Sequence, residues 1–304
     1  MTEGGGPTTD RTPSPSSVLG HPSSLPDHWD LVIRPHRKWF DLKLGELWRY
    51  RDLVMLFVRR DFVALYKQTI LGPLWYIIQP LLTTITFTIV FGRIARLPTN
   101  GLPQFLFYMA GTVVWTYFAT CLTKTSETFV QNAQLFGKVY FPRLAVPVSI
   151  LISNLIAFAI QFVFFLAFMV YFALRGSPIR PNPYILLTPI LLLTMAGLAL
   201  GFGTIVLALT TKYRDLRFLI HFGVQLLMYA APVVYSTSSL PPGLQPIVRA
   251  NPLSSIIEAF RYAYLGGVAP SLGQLAYSFG FMVVILVVGI VVFNRVEATF
   301  VDTV

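Results

Sequence analysis

Apolar and polar positions change register along the chain. From Glu46 to Tyr66 (ELWRYRDLVMLFVRRDFVALY), Leu47, Tyr50, Val54, Phe57, Val58, Phe62 and Leu65 recur at helical spacing, while Arg49, Asp52, Arg59, Arg60 and Asp61 fall largely on the other side. A basic amphipathic helix over 44–67 suits the headgroup plane of a bilayer. A helix packed on a soluble partner would show the same pattern. Gly72 and Pro73 then mark a sharp turn, since proline suits a first helical turn where its missing N–H costs nothing. Beyond it the polar face disappears. Six stretches, near 74–92, 104–123, 146–174, 184–210, 218–236 and 275–293, reach the roughly 20 residues a helix needs to cross a hydrocarbon core.

Between the last two stretches lies LPPGLQPIVRANPLSSIIEAFRYAYLGG. Asn251 can cap a helix that starts at Pro252 and stops at Gly266 or Gly267, about 14 residues and too short to span. This reads as an outer re-entrant or interfacial hairpin, although a plain surface helix has the same pattern. Glu258 and Arg261 stand three apart and can pair. The expected fold is an all-α polytopic membrane protein with six transmembrane helices, an amino-terminal amphipathic interfacial helix and an outer re-entrant helical hairpin before the last span. Residues 41–304 form one transmembrane domain. Residues 1–40 read as a disordered cytoplasmic tail, because their first 30 residues are rich in Gly, Pro, Ser and Thr without an apolar core.

Composition agrees: 55% of the 304 residues are hydrophobic, 12% are charged and the mean hydropathy is +0.65, outside the balance of a soluble domain. The net charge of +10 sits beside apolar runs, which points to a membrane surface and away from nucleic acid. With the amino terminus inside, only Arg93, Arg96, Arg175, Arg180, Arg249 and Arg261 fall on the outer side, so both termini are expected in the cytoplasm. The single cysteine, Cys121, permits neither an intrachain disulfide nor a cysteine metal site.

Missing chemistry narrows the function. All thirteen acidic residues lie outside the expected spans, so there is no proton or sodium relay of the kind ion-coupled transporters use. No phosphate-binding G-x-x-x-x-G-K-[ST] occurs, and the fragment LFGKVY lacks its first glycine and its hydroxyl residue. His221 reads as a packing or interfacial residue, and no metal or catalytic constellation assembles in the spans. Uncharged polar groups remain. Gln79, Thr83 and Thr86 share a face of the first span, with Asn154 and Gln161 in the third and Gln225 in the fifth. They either bond their own helices and neighbours or line a neutral pathway. Trp75, Tyr76, Tyr108, Trp115 and Tyr117 are either interfacial anchors or stacking surfaces for sugar rings. Gly197 with Gly201, and Ala199 with Gly203, give the fourth span a close-packing face, within or between subunits.

The order of Arg60-Asp61 in an interfacial helix, then QTILGPLWYIIQP, QLFGKVYFPRLAVP and NPLSSIIEAFRYAYLGG, resembles the membrane subunit of polysaccharide-exporting type-2 ABC transporters over about residues 42–295. The resemblance implies a non-enzymatic permease of the bacterial inner membrane that works as a homodimer. Its expected cargo is a lipid-linked glycan such as O-antigen, teichoic acid or capsule. It implies two copies of a separate ABC ATPase, which carry ATP and magnesium, with no cofactor in this chain. Glu127 to Tyr140 would be the coupling helix, with Glu127, Phe129, Phe136, Lys138 and Tyr140 toward the ATPase and Phe141-Pro142-Arg143 turning back into the membrane. Arg59, Arg60, Asp61, Gly72 and Pro73 would form a tilting gate, and Trp75, Tyr76, Gln79, Thr83, Thr86 and Tyr117 the channel lining. Two alternatives share parts of the pattern: an ABC exporter of a small lipid or drug, and a membrane-embedded glycosyl or acyl transferase, which would need acid–base residues near the interface.

Overall fold

The computed structural model describes residues 44–67, 71–136, 141–213 and 215–301; the tail expected over 1–40 lies outside them. Among the described residues the chain is helical, without strands. α1 (Leu44–Arg49) and α2 (Arg51–Lys67) carry the amphipathic pattern. Val54, Phe57 and Val58 are buried and α2 packs on α7 (Ala145–Leu174). Trp48, Met55, Leu56, Arg59 and Arg60 face outward. An outward face that mixes large apolar groups with cations suits the boundary between headgroups and acyl chains.

Gly72 takes φ +47°, the left-handed conformation that glycine adopts without a steric penalty, and the 3-10 turn Gly72–Leu74 leads into α3 (Trp75–Phe87). Pro80 sits inside α3, where its ring removes one helical hydrogen bond. Its carbonyl accepts from Thr84 Oγ1 at 2.8 Å, and the Thr84 hydroxyl lies 3.2 Å from that of Thr112 on α4 (Gln104–Ser126). Past Phe87 the helix widens into a π-helical segment, Thr88–Ile94. That winding is rare and the sequence pattern gave no sign of it. Gln104 Nε2 donates to the Gly92 carbonyl of this segment at 3.1 Å, in space that a β-carbon on Gly92 would occupy.

α4 is the axis of the bundle, buried along most of its length among α3, α7, α8 (Thr188–Lys212) and α11 (Pro252–Leu265). α8 packs most extensively on α12 (Leu272–Val301). The small residues explain the closeness: Gly197 meets Met282, Gly201 meets the Ile285 backbone, and Gly203 turns instead toward Thr125 of α4. The close-packing face is therefore used within the chain. Wide apolar surfaces on α3, α7, α9 (Leu216–Ala230) and α12 stay uncovered, as lipid or a second chain requires.

One expectation needs correction and one alternative falls. Among the described residues five helices are long and apolar enough to cross a membrane, and the expected span 218–236 is met by a helix of only 15 residues, α9, which starts at Leu216 and stops at Ala230. The apolar run continues past Ala230, but the helix does not. Ala231 precedes Pro232, and the clash with the proline ring drives it to extended backbone, ψ 148°. The plain surface helix is also excluded. Asn251 Oδ1 accepts from Leu253 N at 3.0 Å, Pro252 occupies the first turn, and Gly266 (φ +82°) ends α11, as the sequence indicates. Yet twelve of its fourteen residues are buried, against α4, α12 and the 3-10 turn Pro183–Leu187. The short α10 (Gln245–Ala250) leads into it.

Candidate functional site

Features of functional interest gather at the two ends of the bundle. At the end that carries α2, a cavity of about 580 Å³ lies among α2, α3, the last turn of α4, α5 (Thr128–Gln131) and the first half of α7. Its lining includes Arg60, Asp61, Tyr76, Lys124, Asn132 and Asn154. Arg60 Nε and Nη2 both reach Asp61 Oδ1, at 3.0 and 2.9 Å, and the guanidinium stands 5.0 Å from the Phe57 ring. Lys124 donates to Asn154 Oδ1 at 3.3 Å, while Asn154 Nδ2 donates to the Ile150 carbonyl at 2.7 Å. Arg60 is thus neutralised by its neighbour, and Lys124 contributes a charge matched by a neutral amide.

Beside the cavity runs an aromatic series. Phe57 on α2 lies 5.7 Å from Phe141, Phe141 lies 5.6 Å from Phe136 on α6 (Ala133–Phe136), and Phe136 lies 5.5 Å from Phe129 on α5. Phe129 stacks 5.4 Å from Phe293 on α12. Arg143 places its guanidinium 5.6 Å from the Phe136 ring. This arrangement corrects the reading of Phe129 and Phe136 as groups turned toward a partner. Both are buried, because three aromatics in a short segment beside a bundle lose most water by packing on it. The outward surface of α5 is instead Val130 and Gln131. Gln131 Nε2 donates to Glu127 Oε2 at 2.6 Å, and Glu127 Oε1 lies 3.0 Å from His221 Nε2 on α9. His221, read as a packing or interfacial residue, thus joins α9 to the α4–α5 corner. Lys138 and Tyr140 lie outside the described residues, as does the side chain of Pro73.

At the other end Arg261 is the organising group, and it does not pair with Glu258. Its Nε donates to the Phe107 carbonyl at 3.2 Å, Nη1 to the carbonyls of Pro232 (2.5 Å) and Tyr235 (3.2 Å), and Nη2 to that of Val233. The guanidinium stacks on the Phe107 ring, 3.8 Å from its centroid. Gly111 leaves room for it, since a β-carbon there would collide with Nη2 and the Val233 carbonyl. Burial pulls the guanidinium pKa down to about 9, with Glu258 opposing, so it stays charged at neutral pH. The non-helical stretch after Ala230 exposes carbonyls in a buried place, and Arg261 satisfies them as a planar five-donor fork can. Glu258 Oε1 accepts from Thr237 N at 3.0 Å, serving the same stretch.

The expected lining residues divide. Trp75, Gln79 and Thr86 are exposed on one side of α3 and touch solvent or whatever covers this chain. Thr83 Oγ1 donates to the Gln79 carbonyl at 3.0 Å, so its hydroxyl serves its own helix. Tyr76 is half-buried and lines the α2-end cavity. Tyr117 is corrected to the core: its ring packs 5.8 Å from Phe158, between α4 and α7. Among the described residues no cluster of three or more His, Cys, Asp or Glu is placed to hold a metal ion.

The sequence matches the model of the ABC-2 type transporter family over residues 52–265, from α2 through α11. An O-antigen export system permease protein RfbA from Klebsiella pneumoniae is 27% identical over 253 residues, covering 83% of this chain and 94% of the relative. A protein of the same name from Myxococcus xanthus is 26% identical over 219 residues, covering 71% of this chain and 81% of that relative. With the matched region running from the amphipathic helix to the buried α11, this polytopic membrane protein belongs to the ABC-2 type transporter family.

Proposed function

We propose that this chain is the permease subunit of an ATP-driven exporter that moves a lipid-linked, O-antigen-like polysaccharide out of the cytoplasm. The observation that carries the reading is the aromatic series from α5 and α6 to α2 and α12, in a chain whose relatives are O-antigen export permeases. Force applied by an ATPase at the α5 surface reaches the amphipathic helix through rings in contact, without a flexible link between them. α2 then tilts about the Gly72 turn and carries α3 with it. The α2 end is cytoplasmic on this reading, since Arg51, Arg59, Arg60, Lys67, Lys124 and Arg143 gather there, and both termini lie on that side. Helix α11 and its flanking loops form a re-entrant element at the outer side, the irregular backbone of those loops permitted at membrane depth because protein surrounds it.

Two copies assemble around the pathway. None of the residues of α9 is buried within one chain, which fits a helix awaiting a neighbour. The outward face of α3, with Trp75, Gln79 and Thr86, would then line the path with an indole, an amide and a hydroxyl. Such a wall offers sugars stacking and hydrogen bonds without a fixed charge to hold them. ATP and magnesium belong to two copies of a separate ABC ATPase, and residues 127–143 are the coupling segment. The test is co-expression with an ABC ATPase of the same export system, followed by purification through a tag on this chain. The expected result is a stable complex, two copies of each subunit, that hydrolyses ATP. Purification of this chain alone, under conditions where both subunits are well expressed, would overturn the reading.

A further inference from the structure

We infer that Glu127 is a two-position latch on α9, closed on His221 in this structure and transferred to Arg217 when an ATPase displaces the coupling segment. The inference rests on the permease reading above, which supplies the ATPase. Glu127 stands at the junction of α4 and α5, where an acidic residue is ordinarily explained as a helix cap. Its side chain makes no cap hydrogen bond. Instead Oε2 accepts from Gln131, on the outward face of α5, at 2.6 Å, and Oε1 lies 3.0 Å from His221 Nε2. The Glu127 side chain is 17% exposed and that of His221 57%. The carboxylate therefore belongs to a shielded corner, and the imidazole is the partner able to leave it.

α9 itself supplies the second position. Arg217, His221 and Gln225 stand four apart, one polar stripe along a helix that is otherwise apolar and aromatic. Residues so spaced have Cβ atoms roughly 5–6 Å apart, within the reach of an arginine side chain. Arg217 makes no ion pair among the described residues, and its Nε is buried without a hydrogen-bond partner there. A buried donor left unpaired is costly, and the carboxylate that already meets the stripe one turn away can relieve it. The α4–α5 corner then moves along α9 by at most one helical turn, about 5.4 Å, and the long arginine covers part of that distance. α9 is loosely held against such a shift: none of its residues is buried as a whole, and Gly223 has open space around it. A carboxylate with two basic partners one turn apart is a two-state element, so force on the α5 surface has a discrete position to drive α9 into.

The experiment uses the permease–ATPase complex in nanodiscs and two cysteine pairs in a Cys121→Ala background. One combines Glu127→Cys with His221→Cys, the other Glu127→Cys with Arg217→Cys. Disulfide formation under a mild oxidant is followed with and without a non-hydrolysable ATP analogue. The first pair is expected to cross-link without nucleotide, and the second to cross-link about fivefold or more faster once the analogue is bound. A second arm exchanges the charges and reads ATP hydrolysis per complex recovered. Arg217→Glu is expected to lower it about tenfold with melting unchanged, and Glu127→Arg combined with Arg217→Glu to return it to within about twofold of wild type. Rescue by the exchanged pair is a result that a merely structural role for either residue does not give. A double exchange no more active than Arg217→Glu alone, or a second pair that cross-links no faster with the analogue, overturns the latch while an active complex leaves the permease reading in place. If no ATPase is recovered with the chain, the reading and the latch fall together.

Discussion

Arg261→Leu is expected to remove the folded chain from the membrane. The substitution keeps a side chain of moderate volume and deletes the donors that Arg261 gives to the carbonyls of Pro232, Val233 and Tyr235, along with the one it adds to the helical carbonyl of Phe107. Each buried carbonyl left unpaired costs about 1–3 kcal/mol, so the total of several kcal/mol approaches the roughly 5–15 kcal/mol that holds a typical domain together. Arg261→Lys keeps the charge, but a single ammonium cannot serve four carbonyls spread around a planar fork, and it should fall between the two. Detergent-solubilised size-exclusion profiles with a thermal ramp would rank wild type, lysine and leucine in that order. A monodisperse Arg261→Leu protein with an unchanged melting midpoint would show that other groups hold the stretch after Ala230.

The coupling segment gives the second large effect, as a contrast between neighbours. Phe129→Asp puts a carboxylate between Phe136 and Phe293 in a buried position and is expected to destabilise the chain by more than about 3 kcal/mol. Val130→Asp changes an exposed residue one position along and should alter stability by less than about 0.5 kcal/mol. Its effect should appear in the partner: association with the ATPase lost or reduced about tenfold or more, with expression and melting unaltered. The measurements are melting of the isolated permease and recovery of the ATPase on it. A Val130→Asp chain that recovers the ATPase fully would move the docking surface elsewhere.

Much of this architecture was legible in the sequence because bilayers make patterns simple. The amphipathic face of α2, the glycine turn at Gly72, the Asn251 cap and the end at Gly266 each rest on one local rule, and each is found. The errors come where tertiary context decides. Apolar runs do not report where a helix stops within them, and the break after Ala230 is set by Pro232 through its effect on Ala231. A spacing of three between Glu258 and Arg261 suggests an ion pair, but buried carbonyls at another point in the chain were the stronger claim on the arginine. Aromatics in a short connecting segment look like contacts for a partner when nothing shows the bundle beside them. The proline of Ala231-Pro232, and an arginine in a helix too apolar to leave it exposed, were the available signals for the outer end. Nothing in the pattern marks the π-helical turn of Thr88–Ile94 or the Glu127–His221 contact.

The most direct test of the proposed function is transport itself. The permease and its ABC ATPase are reconstituted into liposomes with a lipid-linked polysaccharide on the ATPase side, and the glycan reaching the other side is measured with a lectin or a membrane-impermeant glycosidase. A glycan exporter gives ATP-dependent appearance of the polysaccharide, abolished by a hydrolysis-deficient ATPase. ATP-dependent movement of a glycan-free lipid, with the polysaccharide left where it started, would contradict the proposal and favour an exporter of small lipids.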